Sequence, residues 1–164
     1  MSNSETLQEV YTGEVRSTRR ATLVSNAIGS CIAVMMIDEF RQTGGIAHVM
    51  LPGSAERAQQ DCPFRYAENA IEELIRQMKD LGSRQSDLVA VLAGGGNVLR
   101  RPDDTICSMN IGSVLAGLER RRVPVAASSL GGMQRRKVRL DLSTRRVFHT
   151  LGDGCEEVLW QAVL

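Results

Sequence analysis

The sequence predicts an α+β protein: a layered β-sheet core of mostly antiparallel hairpins, flanked by two main helices. Three observations carry this. Apolar runs of strand length recur at 31–37, 45–51, 87–93 and 124–128, each bounded by turn residues. Two other segments, 66–81 and 110–122, space their apolar residues by three and four. The chain has 164 residues and is 43% hydrophobic, enough for one ordinary domain with its own core. No linker or internal repeat interrupts it, so residues 1–164 are expected to form a single domain.

Residues 8–15 read as a first strand, weakened by Gly13. Residues 21–25 follow as a short strand and 26–29 as a turn. The run Cys31-Ile32-Ala33-Val34-Met35-Met36-Ile37 has no polar alternation, so both of its faces are expected to be buried. Residues 38–43 are polar and reverse the chain, and 45–51 return as a strand stopped by Pro52-Gly53. These two runs are expected to pair as a hairpin. Residues 53–62 read as a loop.

Ala67, Ala70, Ile71, Leu74, Ile75, Met78 and Leu81 mark the first helix, and Gly82 is its stop signal. Residues 87–93 form a buried-type strand that runs into Gly94-Gly95-Gly96. The second helix, over 110–122, is expected to place Ile111, Leu115 and Leu118 on one face. Residues 124–128 make another strand, and 138–142 with 146–150 a surface hairpin turned by Ser143-Thr144. The pattern of 156–164 fits a helical turn or a strand equally well.

Composition excludes several functions. The net charge is +1 and aromatic residues are 4% of the chain, which argues against stacking on single-stranded nucleic acid. Cys31, Cys62, Cys107 and Cys155 are scattered, without the paired spacing of a zinc site, so no metal is expected. The first five residues lack the apolar core of a signal peptide, and no run reaches membrane-spanning length. A cytoplasmic location, with reduced thiols, is expected. Charge is uneven: residues 100–146 carry eleven basic side chains against four acidic ones. That block is either a set of solvated faces or a patch for an acidic partner. Gly94-Gly95-Gly96-Asn97 lacks the Lys-Ser/Thr of a phosphate loop, so nucleotide binding is not expected.

The chemistry lies in Gly29-Ser30-Cys31 and, seventeen positions after the cysteine, His48. A cysteine at a turn-to-strand junction, beside a histidine on the paired strand, is the arrangement for acyl transfer. The imidazole takes the thiol proton and the thiolate attacks an electrophilic carbon. Backbone N–H groups around Gly29, Ser30 and Cys31 are then available to an oxyanion.

The segments 22–34 (Thr-Leu-Val-Ser-Asn-Ala-Ile-Gly-Ser-Cys-Ile-Ala-Val) and 44–52 (Gly-Gly-Ile-Ala-His-Val-Met-Leu-Pro) resemble the signature of the chemoreceptor glutamine deamidase family, CheD. The resemblance is tight over 25–52 and loose after 97. It implies a protein-glutamine glutaminase of the chemotaxis system with Cys31 as nucleophile, His48 as proton acceptor and no cofactor. It also implies Ser25 as third member, where the family has a threonine. Gly94 and Gly95 match family glycines near the active cleft. The implied partners are cytoplasmic helices of methyl-accepting chemoreceptors and a CheC-type phosphatase. The alternative reading is a non-catalytic regulatory partner of that phosphatase. Ser129, Met133, Arg135 and Leu115 stand where the family carries aspartate, asparagine, glycine and asparagine.

Overall fold

The computed structural model describes residues 6–163. Residues 1–5, read above as lacking a leader, and residue 164 of the undecided tail lie outside it. The strands are β1 (Thr6–Glu9), β2 (Val15–Thr18), β3 (Ala21–Ile28), β4 (Ile32–Asp38) and β5 (Gly44–Val49) in the first part of the chain. After helix α1 (Ala67–Asp80) come β6 (Leu88–Gly94), helix α2 (Ile106–Arg120) and β7 (Val125–Leu130). Strands β8 (Arg136–Asp141), β9 (Arg146–Leu151) and β10 (Glu157–Gln161) complete the fold.

The strands form two five-stranded sheets, ordered β1-β3-β8-β9-β10 and β2-β5-β4-β6-β7. The second sheet is the middle layer. On one face, Ile32, Val34, Met36, Ala47, Val49 and Leu92 pack with both helices. On the other, Ala33, Met35, Ile37, Ile46 and Val91 pack with Leu23, Val138, Leu140 and Val147 of the first sheet. Strand β4 is covered on both sides, which is why its sequence is a continuous apolar run. Both helices lie on the same face. Gly45 is required here: a Cβ would stand 2.6 Å from Leu74 Cδ1 and 2.7 Å from the Arg16 carbonyl.

Most pairings are antiparallel, as expected, but β1–β3 and β6–β7 are parallel. The hairpin β4–β5 forms with Ala33 opposite His48. Helix α1 buries Ala67, Ala70, Ile71, Leu74, Ile75 and Met78, as its spacing requires.

Four readings are corrected. The strand expected over 8–15 is two strands in different sheets, separated at Gly13, whose φ is +80°. Helix α2 starts at Ile106, four residues early, because the Asp104 carboxylate accepts the Cys107 N–H and opens the helix inside a polar stretch. Its buried stripe is Cys107, Asn110, Val114, Gly117 and Leu118, whereas Leu115 is 41% exposed. The hairpin β8–β9 lies inside the first sheet, with Val138, Leu140 and Val147 buried between layers. Of the two readings left open for the tail, the strand is the one that forms: β10, paired with β9. No helix among the described residues is long and apolar enough to cross a membrane.

Candidate active site

The central sheet and β3 together position the sequence-predicted residues. Cys31 lies in the bend just before β4, half-buried, and packs against the cluster between the sheets. His48 lies on β5 opposite Ala33, two residues along from Cys31. Both side chains are on the inter-sheet side of the central sheet: Cys31 packs on the cluster there, and His48 meets Ser25 of the other sheet. No hydrogen bond joins them among those of the described residues.

Ser25 reaches His48 from the opposite sheet. It is fully buried on β3, immediately before a bulge in which Ala27 takes a φ of +55°. Bulges re-aim side chains near functional sites. The turn expected over 26–29 is this bulge together with the bend that follows. The Ser25 hydroxyl donates to the Val10 carbonyl at 2.6 Å, and its oxygen lies 2.9 Å from His48 Nδ1. A carbonyl only accepts, so the single hydroxyl proton points at Val10. The serine oxygen must then accept from Nδ1–H. This bond selects the tautomer in which Nε2 carries the lone pair. Nε2 lies 3.5 Å from the Thr12 hydroxyl, a contact at the outer edge of hydrogen-bond range.

Burial sets the proton balance. It pushes the Cys31 thiol above its ordinary value of 9.0, with only its own backbone N–H pulling the other way. Burial also pulls the His48 imidazole below 6.5, against the opposing Val10 carbonyl and the more distant Glu14 carboxylate. Both shifts favour the uncharged forms, because burial penalises a charge on either group.

Cys31 opens on a cleft of about 400 Å³ lined also by Gly29, Ser30, Gly96, Val98, Leu99 and Cys107. Gly94 and Gly95 are buried beneath it. Gly94 has a φ of +128°, and a Cβ there would stand 2.1 Å from the Cys31 carbonyl oxygen. Gly95 N–H donates to that carbonyl at 2.9 Å, and Gly96 N–H to the Gly29 carbonyl at 2.9 Å. The glycine run thus grips the backbone of the cysteine turn, and Gly96 is the member that reaches the cleft.

Several participants escaped the sequence reading. Thr12 and Val10 meet His48 only through the β1–β2 connection, and no local motif marks them. Asn110 carried a usable signal: it interrupts the apolar stripe of α2 at helical spacing. The basic block is largely engaged within the fold. Arg121 pairs with Glu68 at 2.9 Å, Arg135 with Asp153 at 2.6 Å and Arg139 with Glu156 at 2.6 Å. Arg136 is 5% exposed and its Nε donates at 3.0 Å to the Ser129 hydroxyl. These bonds count against the reading of 100–146 as a continuous docking patch.

Residues 50–150 match the family model described as CheD chemotactic sensory transduction. A protein of Chlorobium luteolum named probable chemoreceptor glutamine deamidase CheD is 39% identical over 151 residues, which is 92% of this chain and 75% of that protein. A protein of the same name from Clostridium botulinum strain Hall is 31% identical over 142 residues, 83% of this chain and 87% of its own. Among solved structures, the Bacillus licheniformis hypothetical protein YfiH aligns at a TM-score of 0.42 and 16% identity, over 73% of this chain and 49% of that one. That likeness bears no weight. The family match begins just past His48, but an alignment spanning 92% of the chain necessarily takes in residues 31 and 48 as well. On the strength of these two relatives and the family match, the chain belongs to the CheD family.

Proposed function

We propose that the protein is a cysteine-dependent deamidase that converts glutamine side chains of chemoreceptors to glutamate. The observation that carries the mechanism is the buried Ser25–His48 hydrogen bond on the face shared with the half-exposed Cys31. The names of the relatives supply the substrate class. Cys31 Sγ attacks the carboxamide carbon while His48 Nε2 takes the thiol proton. The C–N bond then breaks, the imidazolium returns its proton to the leaving nitrogen, and ammonia departs from a thioester. Water, deprotonated by the same imidazole, attacks the thioester carbon. The C–S bond breaks, the thiol regains its proton, and a glutamate carboxyl is left. Backbone N–H groups of the Ser30–Cys31 turn face the developing oxyanion.

Intact-mass analysis of a receptor cytoplasmic fragment after incubation with the protein tests this. Exchange of amide for acid raises the mass by about one dalton per site. A fragment of unchanged mass defeats the reading and leaves the role of regulatory partner to a CheC-type phosphatase.

Ser25 tests the third position. Ser25→Ala leaves the Nδ1–H without its acceptor and is expected to lower kcat roughly tenfold, as for one lost hydrogen bond of about 1–2 kcal/mol. Ser25→Thr keeps the oxygen and is expected to retain turnover. Measuring kcat and thermal midpoint on both variants separates the roles. A purely structural serine shifts the midpoint of Ser25→Ala and leaves its kcat intact.

The proton balance makes a second prediction. Because the Cys31 thiol titrates above 9.0, its thiolate fraction at pH 7 is smaller than that of an ordinary cysteine. Iodoacetamide should label exposed Cys62 and Cys155 first near pH 7, with Cys31 following as pH climbs past 9.0. Peptide mapping of the labelled protein reads the order directly. Preferential labelling of Cys31 at pH 7 would instead mean a thiolate–imidazolium pair at rest.

A further inference from the structure

Asn110 sits in the second turn of α2, on the stripe that faces the central sheet, and is fully buried. Its Nδ2 donates to two backbone carbonyls: Ser30 at 2.9 Å and Met50 at 3.1 Å. Two carbonyl acceptors leave no doubt about which amide atom is the nitrogen. Oδ1 is equally buried and has no hydrogen-bond partner, so the two donated bonds are the whole polar engagement of this side chain.

The two carbonyls belong to the two halves of the site. Ser30 precedes Cys31, and Met50 lies two residues beyond His48. In the β4–β5 ladder the last pair is Ile32 with Val49, so the next positions are Cys31 and Met50. There the strands part: the Met50 N–H turns away to the Arg65 carbonyl. The Asn110 amide spans the point where the ladder stops.

The geometry points to Asn110 as a positioning residue for the deamidation proposed above: it fixes the separation of the cysteine turn from the histidine strand and the plane of the Ser30–Cys31 peptide. A trans peptide is planar, with its C=O and N–H opposed. Holding the Ser30 oxygen toward α2 therefore aims the Cys31 N–H the other way, as an oxyanion donor must be held. On the far side of the same turn, Gly95 N–H holds the Cys31 carbonyl at 2.9 Å. The nucleophile's backbone is thus clamped from both neighbouring peptides. Asn110 does not line the cleft, so it touches no substrate and acts only through this backbone.

The test uses Asn110→Leu, a near match in volume without donors, and Asn110→Ala. Both are expected to lower kcat on the receptor fragment roughly ten- to hundredfold, the scale of a misplaced catalytic group, with KM within about twofold. Both should also raise the pH midpoint of Cys31 alkylation, since the Cys31 N–H no longer faces its own sulfur. A folded variant with wild-type kcat and an unchanged midpoint overturns the proposal. If neither variant folds, Asn110 is a packing residue and the positioning role fails. If the wild-type protein deamidates nothing, the functional reading fails on its own, and the alkylation midpoint alone decides for or against Asn110.

Discussion

Cys31→Ala is expected to abolish the mass gain of the receptor fragment while the protein remains folded. In the proposed mechanism the sulfur forms the thioester bond, which an alanine methyl group cannot do. The fold should tolerate the change because Cys31 is half-buried at the edge of the inter-sheet cluster and its loss removes one atom. Its backbone, which Gly94, Gly95 and Asn110 grip, is unaltered. The structure names the control that matters. Cys107 lines the same cleft, but burial and the adjacent Asp104 push its thiol up to about 11, a poor state for a nucleophile. Cys107→Ala should retain activity, as should the alanine variants of exposed Cys62 and Cys155. An active Cys31→Ala beside an inactive Cys107→Ala would move the nucleophile to α2.

His48→Ala is expected to lower kcat by roughly 10²–10⁴, the usual contribution of a positioned general acid–base. The midpoint of Cys31 alkylation should scarcely move in this variant, because the imidazole does not hold a thiolate at rest. That pairing of a large kinetic loss with an unchanged titration separates a base that acts during attack from one that pre-forms an ion pair. The same buried imidazole sets the acid side of the pH profile. Its folded value lies below 6.5, so the base stays unprotonated through that pH and activity should decline only at lower pH. Folding follows the same sign. Above 6.5 the native and unfolded states both hold a neutral imidazole, whereas below it the unfolded chain binds the extra proton and stability falls. A wild-type activity profile that already drops above pH 7 would contradict the assignment of His48.

Much of this protein was legible in its residues. Apolar pattern and its turn residues marked helix α1, strands β4 and β6 and the β4–β5 hairpin, because burial on one face or two writes itself into the local sequence. The Gly-Ser-Cys turn and the histidine seventeen residues on, with a hydroxyl six residues before the cysteine, marked the candidate chemistry and the family. What local pattern cannot hold is which surfaces meet. The short edge strands β1, β2 and β10 have little burial of their own and exist because a neighbouring strand accepts their backbone bonds. The stacking of the two sheets is a long-range event, and it alone brings Ser25 to His48 and selects the imidazole tautomer. The same stacking buries the imidazole and half-buries the thiol, which shifts both toward their uncharged forms. Docking of α2 on the central sheet likewise lets Asn110, a polar break in a helical stripe, bond the backbone beside both Cys31 and His48. Residue types and their spacing thus marked the candidate groups, but their burial and alignment depend on contact across layers, which arises only when distant segments pack.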